Sequence, residues 1–146
     1  MSRKKVMSLK SLIKYAISGR SNKKAVHVFF EVSKNKVNLV KKKTGIDITG
    51  YKHAIDNYAI QHIILQHGNK EDENKRGLVP VTLDVFDMLP LIIKKPDHLT
   101  VNVNKGKVFF QYTKKYKNEI YYIEEILTGR KELTTKTLYI KKSRKK

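Results

Sequence analysis

Leu99-Thr-Val-Asn-Val103, Lys107-Val-Phe-Phe-Gln-Tyr112, Ile120-Tyr-Tyr-Ile-Glu-Glu-Ile126 and Thr135-Lys-Thr-Leu-Tyr-Ile140 decide the fold. Each segment is rich in β-branched and aromatic residues and alternates as a half-buried strand does. The links between them, Asn104-Lys-Gly106, Lys114 to Glu119 and Thr128-Gly-Arg-Lys131, are short and turn-like. Four sequential strands with short links predict an antiparallel meander. The preceding residues carry helical patterns, so the expected class is α+β. N-terminal helices pack on one face of a C-terminal four-stranded antiparallel sheet, and the other face stays open for a ligand.

Upstream of the meander, Ser8 to Gly19 places Leu9, Leu12, Ile13 and Ala16 at helical spacing, with Ser8 as the cap and Gly19 as the stop. Ala25 to Val32 and Val37 to Val40 read as a hairpin joined by Ser-Lys-Asn-Lys, and Tyr51 to Ile55 as another short strand. The segment Tyr58-Ala-Ile-Gln-His62-Ile-Ile-Leu-Gln-His67-Gly68 reads as a helix capped by Asp56 or Asn57 and closed by Gly68 in a left-handed conformation. The polar run Asn69 to Arg76 reads as an exposed loop. Val81 to Leu89 reads as a helix capped by Thr82, with a short continuation opened by Pro90 and closed by Pro96.

The chain's 146 residues suit one domain. With no cysteine, disulfides, a thiol nucleophile and cysteine-ligated zinc are all excluded. The apolar runs are far shorter than the roughly 20 residues needed to span a bilayer, and no secretory signal is evident, so no membrane partner and a cytoplasmic location are expected. Charge says most about partners: 32 Lys and Arg against 13 Asp and Glu give +19. Residues 1 to 24 hold eight bases and residues 141 to 146 five, and neither segment has an acid. A polyanion is the natural ligand, because neutralising phosphates releases condensed counterions.

The two helix histidines invite chemistry. With Ile60 at zero, Ile63, Ile64 and His67 fall within about 60° of it, while His62 lies near 200°. His62 therefore faces away from the apolar stripe and His67 sits on it. A helical zinc pair uses spacing i,i+4 with an adjacent glutamate; spacing i,i+5 without one argues against a metal site. A metal-independent ribonuclease needs a base for the 2'-hydroxyl, an acid for the leaving 5'-oxygen and a cation for the phosphorane charge. Histidine serves both proton roles near neutral pH, and Lys or Arg the third.

Gly45-Ile-Asp-Ile-Thr-Gly-Tyr-Lys-His53-Ala-Ile-Asp, Ala59-Ile-Gln-His62-Ile, Gln66-His67-Gly68, Leu78-Val-Pro80, Pro90 to Asp97, Tyr121 to Glu125, Thr128-Gly-Arg130-Lys and Leu133-Thr-Thr-Lys136-Thr-Leu-Tyr139 together resemble the phage-associated nuclease domains related to barnase, EndoU, colicin and RelE-like toxins. The resemblance covers about residues 45–141. It leaves residues 1–44 as a basic extension with a helix and hairpin, and 142–146 as a basic tail. It implies a barnase/EndoU/RelE-like fold and a metal-independent endoribonuclease without a cofactor, giving a 2',3'-cyclic phosphate. RNA, tRNA included, is the implied substrate, and an immunity or antitoxin protein the partner to look for. The resemblance implies His62, His67, Arg130 and Lys136 as catalytic, and His53, Thr128, Thr137 and Tyr139 as substrate-binding. Tyr112, Tyr121, Tyr122 and Tyr139 are candidate stacking residues, of which strand alternation allows about half to reach a nucleotide. Alternation likewise sets Lys136 and Thr137 on opposite faces. A non-catalytic nucleic-acid-binding module of the same fold is the competing reading.

Overall fold

The computed structural model describes residues 5–19 and 23–142. The basic residues Arg3, Lys4, Arg20, Arg144, Lys145 and Lys146 lie outside them. The four alternating segments form β5 (His98–Asn104), β6 (Lys107–Tyr116), β7 (Asn118–Leu127) and β8 (Glu132–Lys141), each antiparallel to the next. Between β5 and β6, Lys105 and Gly106 both take positive φ, at 52° and 78°. That is the two-residue mirror-image turn whose twist suits a hairpin.

The expected four-stranded antiparallel sheet is only half of what forms. The sheet has eight strands and is mixed, in the order β1-β2-β3-β8-β7-β6-β5, where β1 is Lys5–Val6, β2 Ala25–Glu31 and β3 Lys52–Asp56. β3 runs parallel to β8, from Lys52 beside Glu132 to Ala54 beside Thr134, and β1 runs parallel to β2. A short β4 (Leu78–Val79) pairs antiparallel with the far end of β8. The physical reason is the outer edge of β8, which a four-stranded meander would leave as a row of unpaired backbone groups. Residues 5–19 and 23–44 contribute strands to this sheet and side chains to its core.

Three local readings also change. Residues 34–44 form helix α2 (Lys34–Thr44), not the second strand of a hairpin. Ser33 caps α2 by accepting from the Lys36 N–H, Gly45 closes it at φ 80°, and Lys41, Lys42 and Lys43 complement the negative end of the helix. These signals outweigh the β preference of Val37 and Val40, and Val40 is buried as a helix residue. The polar run after the histidine helix is also helical: α4 (Lys70–Lys75) is capped by Asn69 and has Glu71, Asp72 and Glu73 in its first turn. Residues 81–89 divide into a 3-10 helix (Leu83–Met88) and α5 (Leu89–Lys94), and Thr82 hydrogen-bonds the Asp84 carboxylate instead of capping the backbone.

Helix α1 (Leu9–Ile17), capped by Ser8, and helix α3 (Asn57–His67), capped by Asp56, follow the sequence pattern. Gly68 does not. Its φ is −93°, so it is not left-handed. Its role is close approach: a Cβ there would lie 2.5 Å from the Ile64 carbonyl oxygen that accepts from the Gly68 N–H. Gly68→Ala is expected to destabilise the protein by about 1–3 kcal/mol, seen as a lower denaturation midpoint at unchanged slope.

Candidate active site and nucleic-acid interface

Strand alternation gives the sheet two different faces. Ile120, Tyr122, Glu124 and Ile126 of β7, with Leu133, Thr135, Leu138 and Ile140 of β8, are buried and belong to the side that α2 and α5 cover. Tyr121, Ile123, Glu125 and Leu127, with Thr134, Thr137 and Tyr139, are only half-buried. A β-bulge keeps the two strands in phase: Thr135 lies opposite Glu124 and Thr137 opposite Ile123, which leaves Lys136 as the extra, exposed residue. Simple alternation therefore does not govern Lys136 and Thr137.

On the open face Tyr121 and Tyr139 stack with ring centroids 5.0 Å apart and planes 4° from parallel. The Lys141 ammonium lies 4.9 Å from the Tyr121 centroid. Partial burial raises the Tyr139 phenol above its ordinary pKa, and burial followed by the Glu119 carboxylate raises that of Tyr121. Both remain neutral O–H donors at physiological pH. His67, at the C-terminal end of α3, comes to this pair: its ring centroid is 5.9 Å from that of Tyr139. Its Nδ1 lies 3.2 Å from the carboxylate of Glu73, which is fully buried and also 3.5 Å from the Arg76 guanidinium. With Nδ1 held by a carboxylate, Nε2 is the nitrogen left for proton transfer.

His67, Thr137 and Tyr139 thus share one end of the open face. His62 is exposed on α3, outside the apolar stripe. Thr128 and Arg130 are exposed in the β7–β8 turn at the other end of β8. Seven strand residues separate Glu132 from Tyr139, or about 23 Å, so Arg130 does not meet His67. His53 is elsewhere altogether: it is fully buried on the helix-covered side, where Nδ1 lies 2.9 Å from Glu124. Of the four candidate stacking tyrosines, Tyr121 and Tyr139 are on the open face, while Tyr112 and Tyr122 are core.

The sequence reading missed Glu73, hidden in a uniformly polar run, although Asn69 three residues before Asp72 was a legible cap. It also missed Lys36, which is buried against the sheet. The Lys36 ammonium donates to the Ile93 carbonyl at 2.7 Å and lies 5.0 Å from the Tyr112 centroid. Burial lowers its pKa to about 8, against the smaller opposing pull of Glu124. Between pH 8 and the unfolded value of 10.5 the unfolded chain therefore binds the extra proton, and stability rises with pH. Wild type is expected to gain up to about 3 kcal/mol relative to Lys36→Met across that window, measured by denaturation at pH 7.5 to 10. Ionisation of tyrosines in the unfolded chain opposes this trend as the pH nears 10, and the comparison with Lys36→Met cancels that effect.

Among the described residues no group of three His, Asp or Glu is arranged to hold a metal ion, and no helix is long and apolar enough to cross a membrane. No curated protein and no solved structure matches the chain. One family model does, over residues 30–146, and its description is phage-Barnase-EndoU-ColicinE5/D-RelE like nuclease3. That match spans most of the sequence and includes every strand from β3 to β8, together with the histidine helix and the open face, so the chain belongs to this nuclease family.

Proposed function

We propose that this protein is a metal-independent endoribonuclease working on the open face of its sheet. A base takes the 2'-hydroxyl proton, the 2'-oxygen bonds to the adjacent phosphorus, and the bond to the 5'-oxygen breaks as an acid protonates it. The products are a 2',3'-cyclic phosphate and a 5'-hydroxyl. The observation that carries the reading is His67: its Nδ1 is fixed by buried Glu73 while its ring stands beside the stacked tyrosines. His67 is one proton carrier; the second role falls to exposed His62 on the family resemblance, and because the two lie about 140° apart around α3, His62 acts from the helix's solvent side. Lys136, at the bulge next to Thr137, offsets phosphorane charge, and Lys141, 4.9 Å from the Tyr121 centroid, adds a second cation at this end of the face.

Tyr139 and Tyr121 present a π-surface to a base, and Thr137 a hydroxyl to the backbone. Because Arg130 and Thr128 stand at the far end of β8, they hold a phosphate further along the strand, not the scissile one. His53 has no part in this chemistry.

The test is a labelled RNA, and a DNA of the same sequence, incubated with the protein in EDTA. Cleaved RNA with cyclic-phosphate ends and intact DNA are expected. Cutting only when a divalent cation is added would overturn the metal-independent mechanism. The charge of +19 also supports a binding module without catalysis. RNA retained intact, with affinity falling steeply between 50 and 200 mM salt, would favour that module.

A further inference from the structure

The helix-covered side of the sheet holds a cavity of about 300 Å³ that the nuclease reading leaves unused. Its walls come from the end of β2, the first turn of α2, β3, the end of α5 and the start of β5. Phe30, Ile93, Pro96 and Leu99 supply apolar surface. Ser33, Asn35 and Lys36 bring the N-terminal turn of α2 to the cavity, and this turn has no acidic residue to satisfy the positive end of the helix. Lys94 adds a second ammonium, 4.7 Å from the Phe30 ring centroid. Glu31, exposed at the wall, is the acid among the lining residues.

His53 supplies an independent sign of a ligand. It is 0% exposed, its Nδ1 is taken by Glu124, and its Nε2 has no hydrogen-bond partner although the ring borders the cavity. Buried polar atoms are rarely left unpaired. Glu124 in turn accepts from the Tyr112 hydroxyl at 2.5 Å, so the imidazole is held with Nε2 as its free polar edge. A capped helix start, two lysines and a histidine with one unpaired ring nitrogen border one space that has an aromatic and aliphatic wall.

We infer that this cavity binds a small organic phosphate monoester, with its phosphate at the α2 N-terminus between Lys36 and Lys94 and its organic part against Phe30, Pro96 and Leu99. His53 Nε2 hydrogen-bonds the ligand. The site is separate from the His67 face, because the sheet lies between them.

Calorimetric titration with adenosine 5'-monophosphate and, separately, inorganic phosphate tests this on the full chain. The nucleotide is expected to bind at least tenfold more tightly than phosphate. Lys94→Ala and His53→Gln are each expected to weaken nucleotide binding about tenfold, while Lys107→Ala, an exposed lysine at the start of β6 outside the cavity wall, leaves it unchanged. Lys94 is exposed, so its variant remains informative if His53→Gln fails to fold. Equal affinity for the two probes, no binding at millimolar concentration, binding that survives Lys94→Ala, or binding weakened as much by Lys107→Ala would each overturn the assignment. RNA cleavage is not the readout, so failure here is distinguishable from failure of the nuclease reading.

Discussion

Replacing His67 by alanine is expected, on the proposed mechanism, to lower the rate of RNA cleavage by about 10²- to 10⁴-fold, the usual contribution of a positioned proton carrier. The size follows from its surroundings. Glu73 is fully buried and reaches Nδ1, so the ring is oriented before substrate arrives. Tyr139 borders the ring on the side where the sheet is open. The loss should fall on kcat, with binding largely kept, because the tyrosine pair and the basic residues remain. Glu73→Gln keeps the side chain's shape but weakens the hold on the imidazole, and should give a smaller loss. Single-turnover cleavage with a labelled RNA measures both. Wild-type activity in His67→Ala would remove the chemistry from this face.

Glu124→Ala is expected to cost about 3–5 kcal/mol of stability, the range for removing one member of a buried charged network. One carboxylate serves three neighbours: it accepts from the Tyr112 hydroxyl at 2.5 Å, lies 2.9 Å from His53 Nδ1, and offsets the buried Lys36 charge. Truncation leaves the Tyr112 hydroxyl and His53 Nδ1 without that partner at the centre of the sheet, and leaves the Lys36 ammonium with the Ile93 carbonyl but no nearby carboxylate. Burial and the neighbouring Glu124 charge push the Tyr112 phenol well above its ordinary pKa, so the hydroxyl cannot adapt by ionising. For a domain of this size the loss is a large part of the total stability. Urea denaturation should show a lower midpoint, and a change below about 1 kcal/mol would mean that the network is not closed as described. Glu124→Gln, which retains an acceptor, should fall between the two.

The meander is legible because its signals are local. Alternation along Ile120 to Ile126 and the glycine after Lys105 fix strand, face and turn within a few residues. The same rule separates Tyr121 from Tyr122, since neighbours on a strand point to opposite faces. What is not legible is non-local or balanced. Val37 to Val40 is four residues long, too short for period to choose between helix and strand, and its outcome rests on Ser33 and Gly45 at the two ends. The parallel pairing of β3 with β8 joins distant parts of the chain, and nothing in Lys52 to Asp56 names its neighbour. His53, a substrate-binding candidate by resemblance, and Glu124 meet across 71 positions, and no local pattern pairs them. For the candidate site, the angular reading sets His62 toward solvent and His67 toward packing. It does not reveal that the packing partner of His67 is a carboxylate on the next helix, Glu73.

Strands β3 and β4 both grip β8, one near its beginning and one at its end, and the chain between them holds α3 and α4. That segment is strung like a bow across the strand that bears Thr137 and Tyr139. Val81 tightens the far knot by donating its N–H to the His67 carbonyl at 2.7 Å. A hinge motion of the helix away from the strand would have to break a tether at one end or the other. His67 and Tyr139 are therefore tethered to the same strand from both ends, which opposes their separation.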